Sequence, residues 1–600
     1  MRRTSLACGA VSVSLAGALA GCPGPMEDLD ASVTWADQYL PGDEDAFAED
    51  AFVPEGVDAN FPDSPVIPAD AGTDAFFAGD AGMIPSDRSD PAPPSTVERM
   101  GTSGLLLRGT VLAPSGPITP GEVLIVGNTI QCVAASCASH PMAADATVIA
   151  TNATISPGLI DGHNHATYDF LPPWVSGELF DSRYDWRGDA AYSMHIKPES
   201  DGGSTAQHVC PSTKWAELRS IVHGTTTIQG QSPQSSCVDR LARNADHYHG
   251  LPARSNTSFG TSIAGPCEGG GTGSTAMNDT WRRARIAEWE DGDVTRLAVH
   301  MGEGVRGTGA TRTNVLREYD CYRGRATGGS SGDHTVDLLE DASGMPYGTA
   351  YFIHGTAMTA AQIDDAHAAG AFFVWSPSSN LILYGATADI GHMLELGAAV
   401  GIGPDWTVSG AQNVLGEMRF GYEYGRAEGI AALTPERLFL MATRDGARVV
   451  DLDENIGTIE VGKRADLVVF GRVSSDPYRA VLDSEAADVR LVLIDGLGYY
   501  GDVALETATA VNGMCDDFDA CGTAKFLCVA NTPGSTVRAD ETYEDIRSQL
   551  IEHLESGYPG CMTASGDCTA EGTSGCGARP ACRTPAYGRG SELQELVTCR

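Results

Sequence analysis

The sequence predicts an α/β protein that combines a (β/α)8 TIM-type barrel with a small composite β-sandwich domain and a cysteine-rich C-terminal extension. Between residues 157 and 450, short apolar strands alternate with helix-like segments, which is typical of βαβ units and a parallel sheet. Two further groups of short strands flank this region, so we expect the chain to leave a small β-domain and re-enter it. Eight cysteines between residues 515 and 599 mark the extension.

The alternation in the central region can be followed element by element. The predicted pairs of helix and strand are 215–222 and 225–228, 281–289 and 297–299, 336–341 and 350–353, 360–369 and 371–375, and 390–396 and 398–402. The flanking strands are predicted at 105–111, 121–128, 457–462, 465–470 and 489–494. A region of this length accommodates a (β/α)8 barrel. An open doubly wound sheet is the alternative, although no glycine-rich dinucleotide fingerprint supports it.

Composition and motifs divide the chain into six segments. They are a signal peptide at 1–22, an acidic disordered tether at 23–100, the first part of the β-sandwich at 101–156, the barrel at 157–450, the second part of the β-sandwich at 451–505, and the cysteine-rich extension at 506–600. The tether is predicted because residues 23–87 contain no Lys or Arg, and like charges in a segment with little apolar surface repel each other. The formal net charge of −40 argues against nucleic acid as a partner.

The N-terminus has the features of a targeting segment. Arg2 and Arg3 precede an apolar, small-residue stretch at 6–19, and the sequence LAGC ends at Cys22. The stretch is too short to span a bilayer as a stable helix. It resembles a bacterial lipoprotein signal, which implies that Cys22 is lipidated and that the protein is exported and anchored by lipid alone, on the periplasmic face or the cell surface. An ordinary secretory signal is the alternative.

The sixteen cysteines favour an oxidising compartment. Without Cys8 in the signal and Cys22 at the lipid site, fourteen remain, which is an even number. Thiolate metal ligation is the rival interpretation, but the sequence contains no pair of C-x-x-C motifs, so disulfides are predicted. The local pairings that we predict are Cys132–Cys137 and Cys210–Cys237, and the remaining connectivity stays open.

The strongest chemical signal is the motif PGLIDGHNH at residues 157–165. Alternate side chains of an extended strand share a face, so His163 and His165 can bind one ion together. Imidazole is a suitable ligand for zinc or iron. A second His-x-His pair, His247 and His249, ends a helix-like stretch, where positions two apart diverge, so we do not expect a site there.

Other polar side chains follow apolar strands in the same way. His300 and Glu303 end one strand, His354 ends the next, and Asp405 ends the last of the central region. Such positions lie on the C-terminal rim of a barrel, where these folds carry their active sites. His300 is a third candidate nitrogen ligand, and Glu303 is placed to transfer protons. Taken by itself, His354 is also compatible with a hydrogen-bonded core histidine.

Together these motifs resemble the amidohydrolase superfamily, over roughly residues 100 to 500. The matching set is D-x-H-x-H on the first barrel strand, H-x-x-E on the fifth, H-G on the sixth and G-x-D on the eighth, supported by HGTTT at 223–227 and SPSSNL at 376–381. The H-x-x-E form is similar to the branch with cytosine deaminase, S-adenosylhomocysteine deaminase and triazine hydrolase. The resemblance implies that His163, His165, His300 and Asp405 bind the metal, and that Glu303 and His354 serve the reaction.

The lysine content bears on the number of metals. Binuclear members of the family bridge two ions with a carboxylated lysine on the fourth strand. This chain has four lysines in all, and none lies between Lys214 and Lys463. We therefore expect one divalent metal, Zn²⁺ with Fe²⁺ as the alternative.

The expected reaction follows from these residues. A bound metal lowers the pKa of its water from about 15.7 toward about 7 and so provides hydroxide at neutral pH. Asp405 can accept the proton of that water, Glu303 can protonate a ring nitrogen or leaving group, and His354 can hydrogen-bond the developing oxyanion. The implied function is hydrolysis of a non-peptide carbon–nitrogen bond in an amino-heterocycle, an amidine or a cyclic amide. A catalytically inactive ligand-binding lipoprotein is the alternative, and a broken ligand set would be its sign.

The substrate is a small molecule whose identity the sequence does not give. An insertion at 167–195 is rich in aromatic residues and follows the histidine pair directly, so it is either a pocket wall for a planar substrate or a loop packed on the barrel. Candidate substrate-binding residues are Trp174, Gln231, Asn380 and Trp406. The sequence leaves open whether the protein is a homo-oligomer.

Overall fold

The computed structural model describes residues 89–174, 176–189, 192, 196, 209–230, 241–246, 256–259, 279–292, 294–325, 335–529, 541–556 and 593–597. The strands are β1 (Asp90–Pro91), β2 (Thr96–Arg99), β3 (Leu105–Ala113), β4 (Gly116–Val126), β5 (Thr129–Ala134), β6 (Thr147–Pro157), β7 (Leu159–Asp161), β8 (Thr225–Ile228), β9 (Arg243–Asn244), β10 (Asn256–Phe259), β11 (Val294–Met301), β12 (Ala350–His354), β13 (Phe372–Trp375), β14 (Val400–Ile402), β15 (Leu467–Phe470), β16 (Arg472–Val473), β17 (Val489–Ile494), β18 (Leu497–Asp502), β19 (Cys515–Ala520) and β20 (Thr523–Cys528).

The helices are α1 (Arg183–Trp186), α2 (Val209–Val222), α3 (Asp279–Asp291), α4 (Ala310–Tyr322), α5 (Ala360–Ala368), α6 (Pro377–Tyr384), α7 (Ile390–Glu395), α8 (Val414–Glu428), α9 (Pro435–Met441), α10 (Arg444–Val449), α11 (Pro477–Leu482), α12 (Val503–Glu506) and α13 (Tyr543–Ser556). Short 3-10 helices lie at Pro141–Asp145, Ala166–Tyr168 and Ala486–Asp488. No helix in the described ranges is both long and apolar enough to cross a membrane.

The central region contains parallel strands with helices between them, which confirms the predicted α/β class. Strands β7, β8 and β9 form one parallel sheet, and β10 to β14 form a second in chain order. The first and last of these strands meet, because Gly162 N donates to Ile402 O over 2.9 Å and Asn164 forms a parallel bridge with Asp405. Within the described residues, no ladder joins β9 to β10.

The parallel strands β11 and β12 are buried on both faces, as expected of a sheet covered by helices. Leu297 and Val299 pack in one hydrophobic cluster, whereas Ala298 between them packs in another. Phe352 and its neighbour Ile353 divide in the same way. Because side chains alternate along a strand, His300 lies on the same face as Ala298. The position of His300 in β11 therefore fixes the face of the sheet on which this candidate ligand lies.

A separate sheet of ten strands joins the two ends of the described chain. Its order is β19-β20-β18-β17-β15-β6-β3-β4-β5, with β2 paired to β6. Strand β15 returns from the central region and pairs antiparallel with β6, the last strand before it, so both predicted strand groups continue one ladder. In its described part the predicted β-sandwich is therefore one continuous sheet. Strands β19 and β20, from the cysteine-rich extension, form its edge.

Two predicted elements are wrong. Residues 336–341 form no helix, because the Asp337 carboxylate accepts hydrogen bonds from the backbone N–H groups of Leu339 and Glu340 and holds a local turn instead. The helix that precedes β12 is α4. Residues 457–462 form no strand, because Gly457 and Gly462 adopt φ values of 85° and 93°, which an extended strand does not contain.

The disulfides can be compared with the predicted pairings in part. Cys132 and Cys137 are bonded as predicted, and Cys515 is bonded to Cys528. Cys210, Cys321 and Cys521 are also disulfide-bonded. Cys237, the predicted partner of Cys210, lies outside the described residues, so that pairing stays a prediction.

Candidate active site

Four histidines and one aspartate converge at the C-terminal ends of the parallel strands. His163 Nε2 lies 3.1 Å and His165 Nε2 lies 3.4 Å from Asp405 Oδ1. His300 Nε2 lies 3.3 Å from His165 Nε2. One ligand atom from each of His163, His300, His354 and Asp405 can be chosen so that all four lie within 4.8 Å of one another. The sequence-predicted ligands and His354 are thus neighbours in space.

The hydrogen bonds behind this cluster decide which ring nitrogens face it. His163 Nδ1 lies 3.1 Å from Gln229 Oε1, and His354 Nδ1 lies 2.9 Å from Asn380 Oδ1. An amide oxygen only accepts, so each Nδ1 carries a proton, and in the neutral imidazole each Nε2 presents a lone pair. Partners of this kind are typical of histidines that bind metals.

The donor set fits a divalent metal. His163 Nε2 and Asp405 Oδ1 lie 3.1 Å apart, close enough to share one cation or, with His163 protonated, one proton. Within the described structure, the buried atoms His300 Nδ1 and His354 Nε2 make no hydrogen bond. Nitrogen ligands together with one carboxylate are a combination that zinc and iron accept.

The ionisation of these groups suits a metal site as well. Burial, followed by the neighbouring His163, lowers the pKa of His165 to about 3. The same two causes place the pKa of His300 well below its usual range. Burial raises the pKa of Asp405, but its contacts with the imidazoles of His163 and His354 lower it, and the net direction is downward. At neutral pH, His165 and His300 are therefore neutral and Asp405 is ionised, the forms that bind metal.

Two of the site residues adopt a strained backbone. His354 has a φ of 69° and Asp405 a φ of 72°, in the left-handed region that non-glycine residues seldom occupy. The G-x-D motif requires glycine at its first position for a steric reason. A Cβ at Gly403 would lie 2.5 Å from the backbone N of His163. The absence of that side chain lets the ends of β7 and β14 approach each other.

Glu303 lies beside the cluster and is 3% exposed. Its Oε1 accepts a hydrogen bond of 2.6 Å from the Tyr384 hydroxyl. Its Oε2 lies 3.7 Å from His354 Nε2 and 3.7 Å from Arg183 Nη1. Glu303 thus faces the histidines with one oxygen and is held by a tyrosine through the other.

Comparison with known proteins agrees with this site. The chain matches the amidohydrolase family over residues 315–552. It is 27% identical over 437 residues to a 5-methylthioadenosine/S-adenosylhomocysteine deaminase of Desulforudis audaxviator, an alignment that covers 65% of this chain and 92% of the relative. The family model and this relative support membership of the amidohydrolase superfamily, and they support a hydrolase that acts on carbon–nitrogen bonds.

Two further matches have a similar extent. The chain is 24% identical over 446 residues to the 5'-deoxyadenosine deaminase of Methanothermobacter thermautotrophicus, with 68% of this chain and 95% of that protein covered. Among solved structures, an adenosine deaminase from Xanthomonas campestris with bound zinc matches with a TM-score of 0.49 and 16% identity, over 68% of this chain and 93% of that one.

The predicted substrate-binding residues lie in different surroundings. Trp406 packs edge-on against His165, with ring centroids 5.9 Å apart, and so lies next to the cluster. The ring of Trp174 contacts Phe180 instead, and the Asn380 side chain bonds His354 and Thr387. Gln231 lies outside the described residues.

The aromatic insertion packs on the fold and also borders the site. Phe170 and Trp186 are buried, which agrees with a packed loop. Tyr168 lies edge-on to His165 and to Trp406, with ring centroids 6.3 and 5.2 Å apart. Sequence analysis left two alternatives for this insertion, a packed loop and a pocket wall. Different residues of the insertion agree with each of them.

Sequence reasoning missed four supporting residues. Gln229 bonds His163, Ser379 Oγ donates to Asp405 Oδ2 over 2.6 Å, Tyr384 bonds Glu303, and Arg183 Nη1 donates to the His300 backbone carbonyl over 2.8 Å. Ser379 belongs to the SPSSNL motif that supported the resemblance. The sequence therefore indicated this segment, but it did not indicate that Ser379 bonds Asp405. The other three carried no signal in the sequence.

Proposed function

We propose that this amidohydrolase binds one divalent metal, zinc, through His163, His165, His300 and Asp405, and hydrolyses an exocyclic or ring carbon–nitrogen bond of an amino-heterocycle or cyclic amide. The observation that supports this proposal most is the convergence of the candidate ligand atoms, with His163 Nε2 3.1 Å from Asp405 Oδ1. Zinc is favoured over iron because zinc is the ion bound in the similar adenosine deaminase. We propose a single ion because no lysine lies between Lys214 and Lys463 to bridge a second one.

The reaction divides between two carboxyl groups. A divalent metal, when bound here, supplies the Lewis acidity that makes water nucleophilic near neutral pH. Asp405 accepts the proton of the attacking water, and its ionised form is favoured by the neighbouring imidazoles. Glu303 delivers a proton to the departing or ring nitrogen from Oε2, the oxygen that faces His354. His354 Nδ1 donates its hydrogen bond to Asn380 Oδ1, so Nε2 is the ring nitrogen that faces the site.

A planar substrate is favoured by the aromatic residues around His165. The rings of Tyr168 and Trp406 pack edge-on to each other and to His165, whose side chain is 37% exposed. Aromatic side chains stack on flat heterocycles and exclude water from them. The similar proteins are named as deaminases of adenosine derivatives, so purines are the first substrate class to test.

The test is a screen of aminopurines, aminopyrimidines, triazines and cyclic amides with the zinc-loaded protein, scored by ammonia release or ring opening. His163→Ala serves as the matched control because it removes one ligand and should abolish both the zinc and the turnover. An inactive ligand-binding protein would bind compounds from the same screen in calorimetry and turn over none of them. That outcome would favour the alternative over the hydrolase.

We also propose that the two parallel sheets belong to one closed (β/α)8 barrel. Eight parallel strands, β7 to β14, are in the described chain, and the contact between Asn164 and Asp405 supports pairing of the first with the last. The pairing of β9 with β10 is the missing step. A crystal structure that showed β9 and β10 separated by another element would contradict closure.

The protein's location is a separate proposal, carried by the LAGC sequence at its N-terminus. We propose export and lipid anchoring through Cys22. Cys22→Ser should release the protein from bacterial membranes into the soluble fraction, while Cys8→Ser, inside the signal, should leave it attached. Continued attachment of Cys22→Ser would contradict the proposal.

A further inference from the structure

The side chains behind Glu303 form a chain of hydrogen bonds with a fixed direction. Trp186 Nε1 donates to the Tyr384 oxygen over 2.6 Å, and the Tyr384 hydroxyl lies 2.6 Å from Glu303 Oε1. An indole N–H is only a donor, so the tyrosine oxygen is the acceptor in the first bond. A phenol has one hydrogen, and in the described structure its remaining partner is Glu303. The tyrosine therefore donates to Oε1.

This direction distinguishes the two oxygens of Glu303. Oε1 already accepts the bond from Tyr384, and protonation of Oε1 would weaken that bond, so a proton on Oε1 is disfavoured relative to one on Oε2. Oε2 makes no hydrogen bond within the described structure, and it lies 3.7 Å from both His354 Nε2 and Arg183 Nη1. Arg183 is committed elsewhere, because it donates to the His300 carbonyl and to Glu318. Oε2 is the oxygen that is open to proton exchange on the side of the ligand cluster.

We propose that Tyr384 is a positioning residue for catalysis, which holds Glu303 Oε1 as a hydrogen-bond acceptor and thereby makes Oε2 the oxygen that exchanges protons with the substrate. The inference rests on the proposed function, in which Glu303 transfers the proton. The inference adds two residues to those that support proton transfer. They are Tyr384 from α6 and, through its hydrogen bond to Tyr384, Trp186 from the aromatic insertion. The insertion and the proton-transfer group are thus connected by two hydrogen bonds, in addition to any contact that the insertion makes with substrate.

The surroundings make the role specific to this tyrosine. Tyr384 is 3% exposed, so no bulk water replaces its hydroxyl. Tyr319 provides a matched control, since it is also buried, at 2% exposure, and donates a hydrogen bond of 2.6 Å to a carboxylate, that of Asp365. Tyr319→Phe removes the same kind of bond away from the ligand cluster. Any effect of a lost buried hydroxyl on stability alone should appear in both variants.

The first experiment needs no substrate. The infrared carboxylate bands of the zinc-loaded protein are recorded at fixed pH, and the band of Glu303 is identified by its loss in Glu303→Gln. That band should shift in Tyr384→Phe, because Oε1 loses its donor, and should stay unchanged in Tyr319→Phe. Trp186→Phe should shift it less, in the same direction. An unchanged Glu303 band in Tyr384→Phe would overturn the inference, whether or not a substrate is known.

The second experiment uses the best substrate of the heterocycle screen. Tyr384→Phe should lower kcat by about 10-fold or more, the effect typical of a lost partner of an active-site group, with KM and zinc content unchanged. In the Glu303→Gln background the same substitution should have no further effect on kcat, because Tyr384 acts through Glu303. Equal losses in both backgrounds would overturn the inference. Absence of turnover in the whole screen would instead count against the proposed function, while the infrared result would still decide the contact.

Discussion

The Ser379 hydroxyl donates a hydrogen bond of 2.6 Å to Asp405 Oδ2, on the side opposite the oxygen that faces His163. Asp405 is thus held at both oxygens. Ser379→Ala should leave the carboxylate free to rotate, and we expect zinc affinity and turnover to fall by about 10–100-fold, as for other partners of metal ligands. Competition with a chelator measures the affinity.

Ser484→Ala is the control for this prediction. Ser484 is also fully buried, and its hydroxyl donates to the Ala480 carbonyl over 2.8 Å, outside the ligand cluster. It should alter stability without altering zinc affinity. A Ser379→Ala protein that binds zinc as tightly as the wild type would show that His163 alone orients Asp405.

The number of metal ions is the second prediction. The protein purified with zinc supplied should contain close to one equivalent, because no lysine lies between Lys214 and Lys463 to bridge a second ion. Elemental analysis after gel filtration measures it. Two equivalents would contradict the lysine argument, and none would remove the metal-dependent reaction altogether.

Much of the candidate site could be predicted because its signals are local. Strand direction fixes which end of a strand meets the others, so a His or Asp directly after an apolar run is placed on one rim before any tertiary contact is known. His163, His300 and Asp405 are of this kind. The alternation within β11 also fixes the face of His300, since Ala298 lies two residues before it.

The rest depends on contacts that the sequence does not encode locally. Tyr384 ends α6 and meets Glu303, 81 residues away in the chain. Arg183 reaches the carbonyl of His300 from the insertion, 117 residues away. The helix predicted at 336–341 failed because a single Asp337 side chain competes for backbone N–H groups, a local event that apolar spacing does not reveal.

Glu417 gives a pH-dependent prediction for stability. Burial raises its pKa from 4.5 to about 7, although Ser378 donates to it from both backbone and hydroxyl. Between pH 4.5 and 7, the folded protein therefore keeps a proton that the unfolded chain has released. The free energy of unfolding should fall as the pH rises through this window, with no further loss from this group above pH 7.

Glu417→Gln is neutral at every pH and should flatten that dependence. Thermal unfolding midpoints measured from pH 5 to 8 would show a decline in the wild type and a weaker one in the variant. Equal slopes in the two proteins would mean that Glu417 stays ionised when buried, held by Ser378.

Glu303 and Asp405 should separate proton transfer from metal binding. Glu303→Gln keeps the size of the side chain and removes its titratable group, so zinc content should stay near that of the wild type while kcat falls by about 10²–10⁴-fold. Asp405→Asn should lose zinc as well as turnover, because the same carboxylate contacts His163 and accepts the proton of water. Zinc content and hydrolysis rate are measured on the same preparations. Loss of zinc from Glu303→Gln would make Glu303 a ligand. Full activity with zinc retained would move proton transfer to another residue, and His354, 3.7 Å from Glu303, would be the first to test.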